Sequence, residues 1–240
     1  MVSLQTARQS NARIATLPKG LVALFIGATS GIGESSLEQF SQHAQSPHIY
    51  SVARPAAVAS HEKKLDLLRQ SNPSGTYNLI TADVSLISEI DRVTQALTQD
   101  FKETKLDLLF MSSGFMAFEG RFDTREGLDP SMTTRYYSRL RAVQNFLPLL
   151  NEANYPRVVS VLAAGMERPL NEVDLDLRDA SNWSYWNASV HAVTMHTLAL
   201  ERVAQENSRV SLVHWMPGPV ATRGLARAKK FGLSPPNQKS

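Results

Sequence analysis

The sequence predicts a doubly wound parallel α/β sheet, and three observations carry that expectation. Short β-branched or aromatic runs alternate with longer helical stretches along most of the 240 residues. A glycine-rich turn, Gly27-Ala28-Thr29-Ser30-Gly31-Ile32-Gly33, separates the first such run from the first helical stretch. A Pro-Gly turn, Pro217-Gly218, follows the last run. Strands alternating with helices imply parallel pairing with both sheet faces covered. Right-handed crossovers then give about six strands in the order 3-2-1-4-5-6, with ligands at their carboxyl ends.

In chain order, the strand-like runs lie near residues 21–26, 48–53, 76–81, 106–111, 157–163 and 209–215. Helical stretches fill the intervals near 31–44, 57–71, 86–102, 131–150 and 186–206. Residues 1–20 precede the first strand as an N-terminal extension, 21–222 form the sheet domain, and 223–240 are a basic tail expected to fray. The extension carries Arg8, Arg13 and Lys19 and no acid. That composition suits a transit peptide, but a short surface helix is the preferred expectation.

The net charge is +3. Three cations in the extension and five after residue 218 more than account for it, so the body between is acidic. A nucleic-acid binder carries its positive charge on the folded face, which excludes that class here. Cysteine is absent, which removes disulfides, thiolate nucleophiles and cysteine-based zinc sites, and suits a reducing, cytoplasmic setting. No apolar run approaches a membrane span. The six histidines form no ligand cluster, and no metal is expected.

Strand, glycine turn and helix in that order suit a dinucleotide pyrophosphate. Gly27 permits the tight turn, Gly31 lets the backbone approach the phosphates, and Gly33 lets helix and strand pack closely. The helix N-terminus supplies free N–H groups and the positive end of its dipole. The second strand ends at Arg54, where an arginine accommodates the 2′-phosphate of NADP and an acid would hold the NAD ribose. NADP is therefore the expected cofactor.

These motifs resemble the short-chain dehydrogenase/reductase family and its Rossmann fold, over about residues 4–224. In that resemblance Thr29, Ser30 and Ile32 belong to the glycine loop, and Asp83-Val84 stands where the family contacts adenine. Met111-Ser112-Ser113-Gly114 replaces the usual Asn-Asn-Ala-Gly, with only Gly114 kept. Pro217, Gly218, Val220 and Thr222 match P-G-x-V-x-T, beside the nicotinamide.

The catalytic half does not match. Aligning Ala188-Ser189, Ala192 and Leu198-Ala199-Leu200-Glu201 with the family's Y-x-x-S-K-A-A run puts Trp186 at the tyrosine and Val190 at the lysine. Leu162 and Ala163 stand at the serine, and Arg135 at an asparagine. A shift by one pairs Tyr185 with Ser189, or Asn187 with His191, and restores no Tyr–Lys pair. Substitute proton donors are Tyr136, Tyr137 and His191. Four segments, including Arg135-Tyr136-Tyr137-Ser138-Arg139 and His191-Ala192-Val193-Thr194-Met195, resemble a divergent fungal branch linked with secondary metabolism, itself lacking the pair.

Three functions stay open at this point. The leading one is an NADP(H)-dependent oxidoreductase on a small apolar carbonyl or alcohol. The others are an isomerase or cyclase without net redox, with Trp183, Trp186, Met195 and Leu162 lining its pocket, and a non-catalytic nucleotide-binding protein. The family's seventh strand is expected to be missing after Thr222. The sixth strand would then be an open edge that admits a homodimer or the tail.

Overall fold

The computed structural model describes residues 3–114, 120–218, 220 and 222. The six apolar runs form β1 (Val22–Ile26), β2 (His48–Ala53), β3 (Thr76–Thr81), β4 (Leu108–Met111), β5 (Arg157–Val161) and β6 (Ser211–Trp215). All pair in parallel in the order β3-β2-β1-β4-β5-β6. The order follows from where the apolar side chains must go. Every residue of β1 is buried, as a central strand covered on both faces requires.

Among the described residues the helices are α1 (Leu4–Ala12), α2 (Gly31–His43), α3 (Val58–Ser71), α4 (Ile87–Gln95), α5 (Pro130–Met132), α6 (Ser138–Glu152) and α7 (Tyr185–Glu206). Residues 1–20 were expected to include a surface helix, and α1 is one. Ser3 caps it by accepting from the Thr6 N–H at 3.0 Å, and Asn11 at its end donates to Gln39 of α2 at 2.9 Å.

Two helical stretches differ from their expected form. The run over 86–102 is α4 followed by a π-helical turn, Ala96–Asp100. The run over 131–150 is interrupted by another, Thr133–Tyr137, between α5 and α6. A π turn inserts one residue without altering composition, so the 3.6-residue periodicity carries no sign of it.

Two cores flank the sheet. One joins Leu24, Ile26, Leu109 and Met111 with Ile90, Val93, Ala142 and Phe146 under α4 and α6. The other joins Ala23, Phe25 and Phe110 with Leu37, Phe40 and Leu65 under α2 and α3. At roughly 1.5–3 kcal/mol per buried large apolar side chain, these layers dominate the stabilisation. β6 ends the sheet among the described residues, with Leu212, Val213 and His214 half-buried. The seventh-strand expectation concerns 223–240, which lie outside the described residues. No described helix is long and apolar enough to cross a membrane.

Candidate dinucleotide site and active-site cleft

Chain direction places the β1–α2, β2–α3, β3–α4 and β4–α5 connections at one end of the sheet, the carboxyl end of each strand. At β1 the backbone turns sharply: Gly27 has φ +96° and Gly31 φ +66°. A Cβ on Gly27 would lie 2.7 Å from the Ser112 carbonyl carbon and closer still to the Ser113 amide. A Cβ on Gly33 would strike the Gly27 carbonyl and the Ser112 hydroxyl, with the Ala28 Cα at 2.9 Å. The two glycines therefore let the loop lie against the end of β4. Ser112 closes that contact by donating to the Gly27 carbonyl at 3.0 Å.

Ser30 is extended (φ −166°) and caps α2 without a side-chain bond to it, so the first α2 amides open toward the loop of Thr29, Gly31 and Ile32. Thr222 lies over Gly31, its Cγ2 3.1 Å from where a Cβ would stand. Arg54 is exposed at the end of β2, with no carboxylate partner among the described residues. Asp83 accepts from the Ser85 amide (3.1 Å) and hydroxyl (2.8 Å), a turn that orients the chain after β3. The Val84 carbonyl takes a bond from Ser138 at 2.7 Å. Gly114 is exposed, and a side chain there would meet nothing. Pro217 and Gly218, the latter at φ +71°, follow β6, and Val220 is exposed beyond them.

A groove of about 570 Å³ opens on the α2 face, walled by Phe25, Phe110, Val159, Trp215, Val220 and Thr222. A smaller one, about 320 Å³, lies over α7 between Leu170, Asn171, Leu177, Trp186, Val190 and His191. Of the proton-donor candidates, His191 lines this second groove, and Tyr136 and Tyr137 pack in an apolar cluster that shares Leu170 and Leu177 with it. Tyr136 and Tyr137 stack at 4.9 Å, beside an apolar cluster of Met132, Leu177, Ala188, Ala192 and Met195. Burial raises the pKa of Tyr136, and burial with Asp176 nearby pushes that of Tyr137 up to about 12. Both phenols are protonated at neutral pH, and Tyr137 donates to Asp176 at 3.3 Å. The buried imidazole of His191 accepts from the Asn171 amide (Nε2, 3.1 Å) and donates to the Leu175 carbonyl (Nδ1, 3.2 Å). It ties the 166–183 connection to α7. Trp186 is 56% exposed, Val190 is buried, and Ala163 is half-buried just past β5. The indole N–H of Trp183 is buried with no partner among the described residues.

Two buried arginines join the site: Arg135, which the sequence placed at the family's asparagine position, and Arg139, to which it gave no role. Arg135 donates to Ser189 Oγ at 2.7 Å and to the Tyr185 hydroxyl oxygen at 3.3 Å, with its guanidinium carbon 5.0 Å from the Tyr185 ring centre. Arg139 is fully buried. It donates to Ser160 Oγ (2.7 Å), Val161 O (2.9 Å), Thr134 O (3.1 Å) and Ser113 O, tying α6 to the ends of β4 and β5. Burial, with Arg135 beside it, pushes its pKa down to about 9, so it remains a cation at neutral pH. Ser160 also meets His196 Nε2 at 2.7 Å, and His196 packs edge-on against His214. Thr197 links His214 Nδ1 (2.8 Å) to Glu167 (2.6 Å). The legible signal was the i,i+4 spacing of Arg135 and Arg139, which puts both on one helix face.

The sheet order, the glycine cradle and the turn after β6 coincide with a match to the short-chain dehydrogenase model over residues 21–231. The chain belongs to the short-chain dehydrogenase family. Among curated relatives, an NmrA-like family domain-containing oxidoreductase, notO, of an Aspergillus species is 67% identical over all 240 residues. Oxidoreductase AN1596 of Emericella nidulans is 43% identical over 92% of the chain. Both relatives are longer: the chain spans 72% and 65% of their lengths. In fold, an archaeal alcohol dehydrogenase from Thermococcus sibiricus, complexed with 5-hydroxy-NADP, superposes with TM-score 0.63 at 19% identity. That match covers 84% of this chain and 77% of the other. The RhlG/NADP complex of Pseudomonas aeruginosa gives 0.64 at 19%, over 88% and 77%.

Proposed function

We propose that this family member is an NADP(H)-dependent oxidoreductase acting on a small apolar carbonyl or alcohol in secondary-metabolite biosynthesis, with a non-standard catalytic set. The observation that carries the proposal is the cradle at β1. Gly27 and Gly33 leave no room for a Cβ, so the loop lies against β4 with the first α2 amides open above it. A pyrophosphate fits such a surface because unpaired N–H groups and the helix dipole both favour an anion. Thr29, Ser30, Gly31 and Ile32 would hold the phosphates, and Asp83, Val84 and Gly114 the adenosine side. Pro217, Gly218, Val220 and Thr222 would border the nicotinamide. Arg54, exposed and unpaired with any described carboxylate, favours the 2′-phosphate of NADP over the bare ribose of NAD.

When bound, the cofactor supplies the hydride chemistry. The chain's own residues must then position the substrate and move one proton. In the proposed alignment Ala163, Trp186 and Val190 occupy the serine, tyrosine and lysine positions, and none of them transfers a proton. Tyr136, whose hydroxyl has no hydrogen-bond partner among the described residues, is the first candidate donor. Tyr137 and His191 are second candidates, each already held by other groups. The apolar cluster around the tyrosines suits a largely apolar substrate.

The test is cofactor binding followed by fluorescence, then NADPH oxidation on a carbonyl panel. NADPH should bind more tightly than NADH, and Arg54→Asp should abolish the preference. Equal affinities in the parent chain would remove the Arg54 assignment. Failure to bind either cofactor would remove the oxidoreductase.

A further inference from the structure

We propose that Arg135, held in place by Ser189 and the Tyr185 ring, anchors a carboxylate carried by the substrate. This narrows the substrate class to an apolar molecule with one anionic end, and it rests on the proposal that the apolar cluster around Tyr136 and Tyr137 is the substrate side.

The argument begins with charge. Arg135 is 7% exposed, and its bonds run only to neutral hydroxyls, those of Ser189 and Tyr185. No carboxylate pairs with it among the described residues. Four residues along the same helix face Arg139 is a second buried cation, held by four neutral acceptors. Their mutual repulsion is evident in Arg139, whose pKa Arg135 helps to lower. The described acids of the surrounding elements are engaged elsewhere. Asp129 caps α5 through the amides of Ser131 (2.9 Å) and Met132 (3.1 Å). Asp176 takes Arg121 and Arg178, each at 3.1 Å, and Tyr137. An uncompensated buried charge is costly, and two together more so. Such groups persist where a ligand completes them.

Geometry agrees with the charge. Arg135 sits in the π-helical turn Thr133–Tyr137, and π turns recur at functional sites because they re-aim one side chain. The turn leads into α6 and sets Arg135 against α7, and Arg139, four residues on, reaches the carboxyl ends of β4 and β5, the end at which a doubly wound sheet takes its ligand. Ser189 and the Tyr185 ring fix the guanidinium plane, leaving three of its five N–H groups without a described partner. A planar fork of that kind matches a carboxylate, which accepts two parallel bonds. The apolar cluster of Met132, Ala188, Ala192 and Met195, against which Trp183 and Tyr136 pack, would take the apolar remainder.

The experiment titrates the full chain with benzoate and with its neutral isostere benzamide, following tryptophan emission; Trp183 and Trp186 flank Tyr185 in sequence. Benzoate should bind at least about 10-fold more tightly, roughly 1.4 kcal/mol. Arg135→Met should erase that preference, Arg135→Lys should keep part of it, and Tyr185→Phe should weaken it several-fold. Saturating NADP should leave benzoate affinity unchanged. The proposal is overturned if the two probes bind alike, if Arg135→Met keeps the preference, or if NADP displaces benzoate. The last result would assign the guanidinium to the dinucleotide. If Arg135→Met does not fold, ligand-induced Tm shifts on the parent chain decide the matter: benzoate must raise Tm and benzamide must not. NADPH binding is measured in the same preparation. Benzoate binding without NADPH binding would refute the oxidoreductase and keep the anchor, and the reverse would refute the anchor alone.

Discussion

Replacing Arg139 by methionine keeps the side-chain length and removes five donors from the interior. Four acceptors then lose this donor; the Thr134 carbonyl keeps a long bond from Ser113 Oγ at 3.4 Å, while the carbonyls of Ser113 and Val161 and the Ser160 hydroxyl oxygen lose their side-chain donor. Each of these three costs about 1–3 kcal/mol, a gross loss of roughly 3–9 kcal/mol. The cation itself is desolvated, and its removal returns several kcal/mol. A net destabilisation of about 3–5 kcal/mol is expected. For a chain of this size that corresponds to a Tm drop of roughly 6–20 °C. Urea unfolding followed by far-UV circular dichroism gives the free energy, and thermal melts give Tm. Arg139 ties β4 to β5 at their carboxyl ends, so dinucleotide affinity should fall in parallel. A loss below about 1 kcal/mol, or a gain, would refute the reasoning, because the desolvation penalty would then outweigh three satisfied acceptors.

Three further outcomes follow from the same structure. Gly33→Ala should cost about 1–3 kcal/mol through overpacking and weaken NADPH at least about 10-fold, since the added Cβ displaces the loop backbone; unchanged binding in a fluorescence titration would contradict the cradle. The double change Trp186→Tyr with Val190→Lys should not create a strong reductase, because residue 190 is buried and an ammonium there is desolvated. A large NADPH-dependent rate on simple ketones would count against this. Burial, aided by Arg139, lowers the pKa of His196 and of His214 below the ordinary 6.5. The unfolded chain therefore takes up protons first as pH falls, so stability should hold above about 6.5 and decline below it. Melts between pH 8 and 5 should show the decline, and His196→Asn should flatten it; a Tm that does not fall below pH 6.5 would contradict it.

Much of the fold was legible because strands and helices impose different periods. β1 through β6 begin and end within two residues of the apolar runs that suggested them. The glycine turn after β1 was legible because only glycine tolerates the contacts at residues 27 and 33. The cleft was less so. Both nitrogens of His191 bond backbone groups of the 166–183 connection, a pairing that spacing along the chain does not record. Arg135 read as the residue at the family's asparagine position, and Arg139 carried no assigned role. Their burial depends on which face the π turn at Thr133–Tyr137 sends inward, and one inserted residue per turn leaves no trace in a pattern of polar and apolar letters. Side chains at the ends of strands meet through topology, and spacing along the chain does not record that.

The links from Arg139 to Glu167 have a direction. Arg139 donates to Ser160, and a cation turns neighbouring O–H groups away from itself, so Ser160 donates onward to His196 Nε2. That puts the His196 proton on Nδ1. At the other end Thr197 donates to Glu167 and so must accept from His214 Nδ1, which leaves His214 Nε2 a bare acceptor. Neither His196 Nδ1 nor His214 Nε2 has a partner among the described residues, yet one is a donor, the other an acceptor, and their rings stand 5.1 Å apart. The dipoles on both sides of that gap point the same way, from the core cation toward a carboxylate near the surface. Arg139 is thus answered at a distance by a polarised file of neutral groups that ends at a carboxylate.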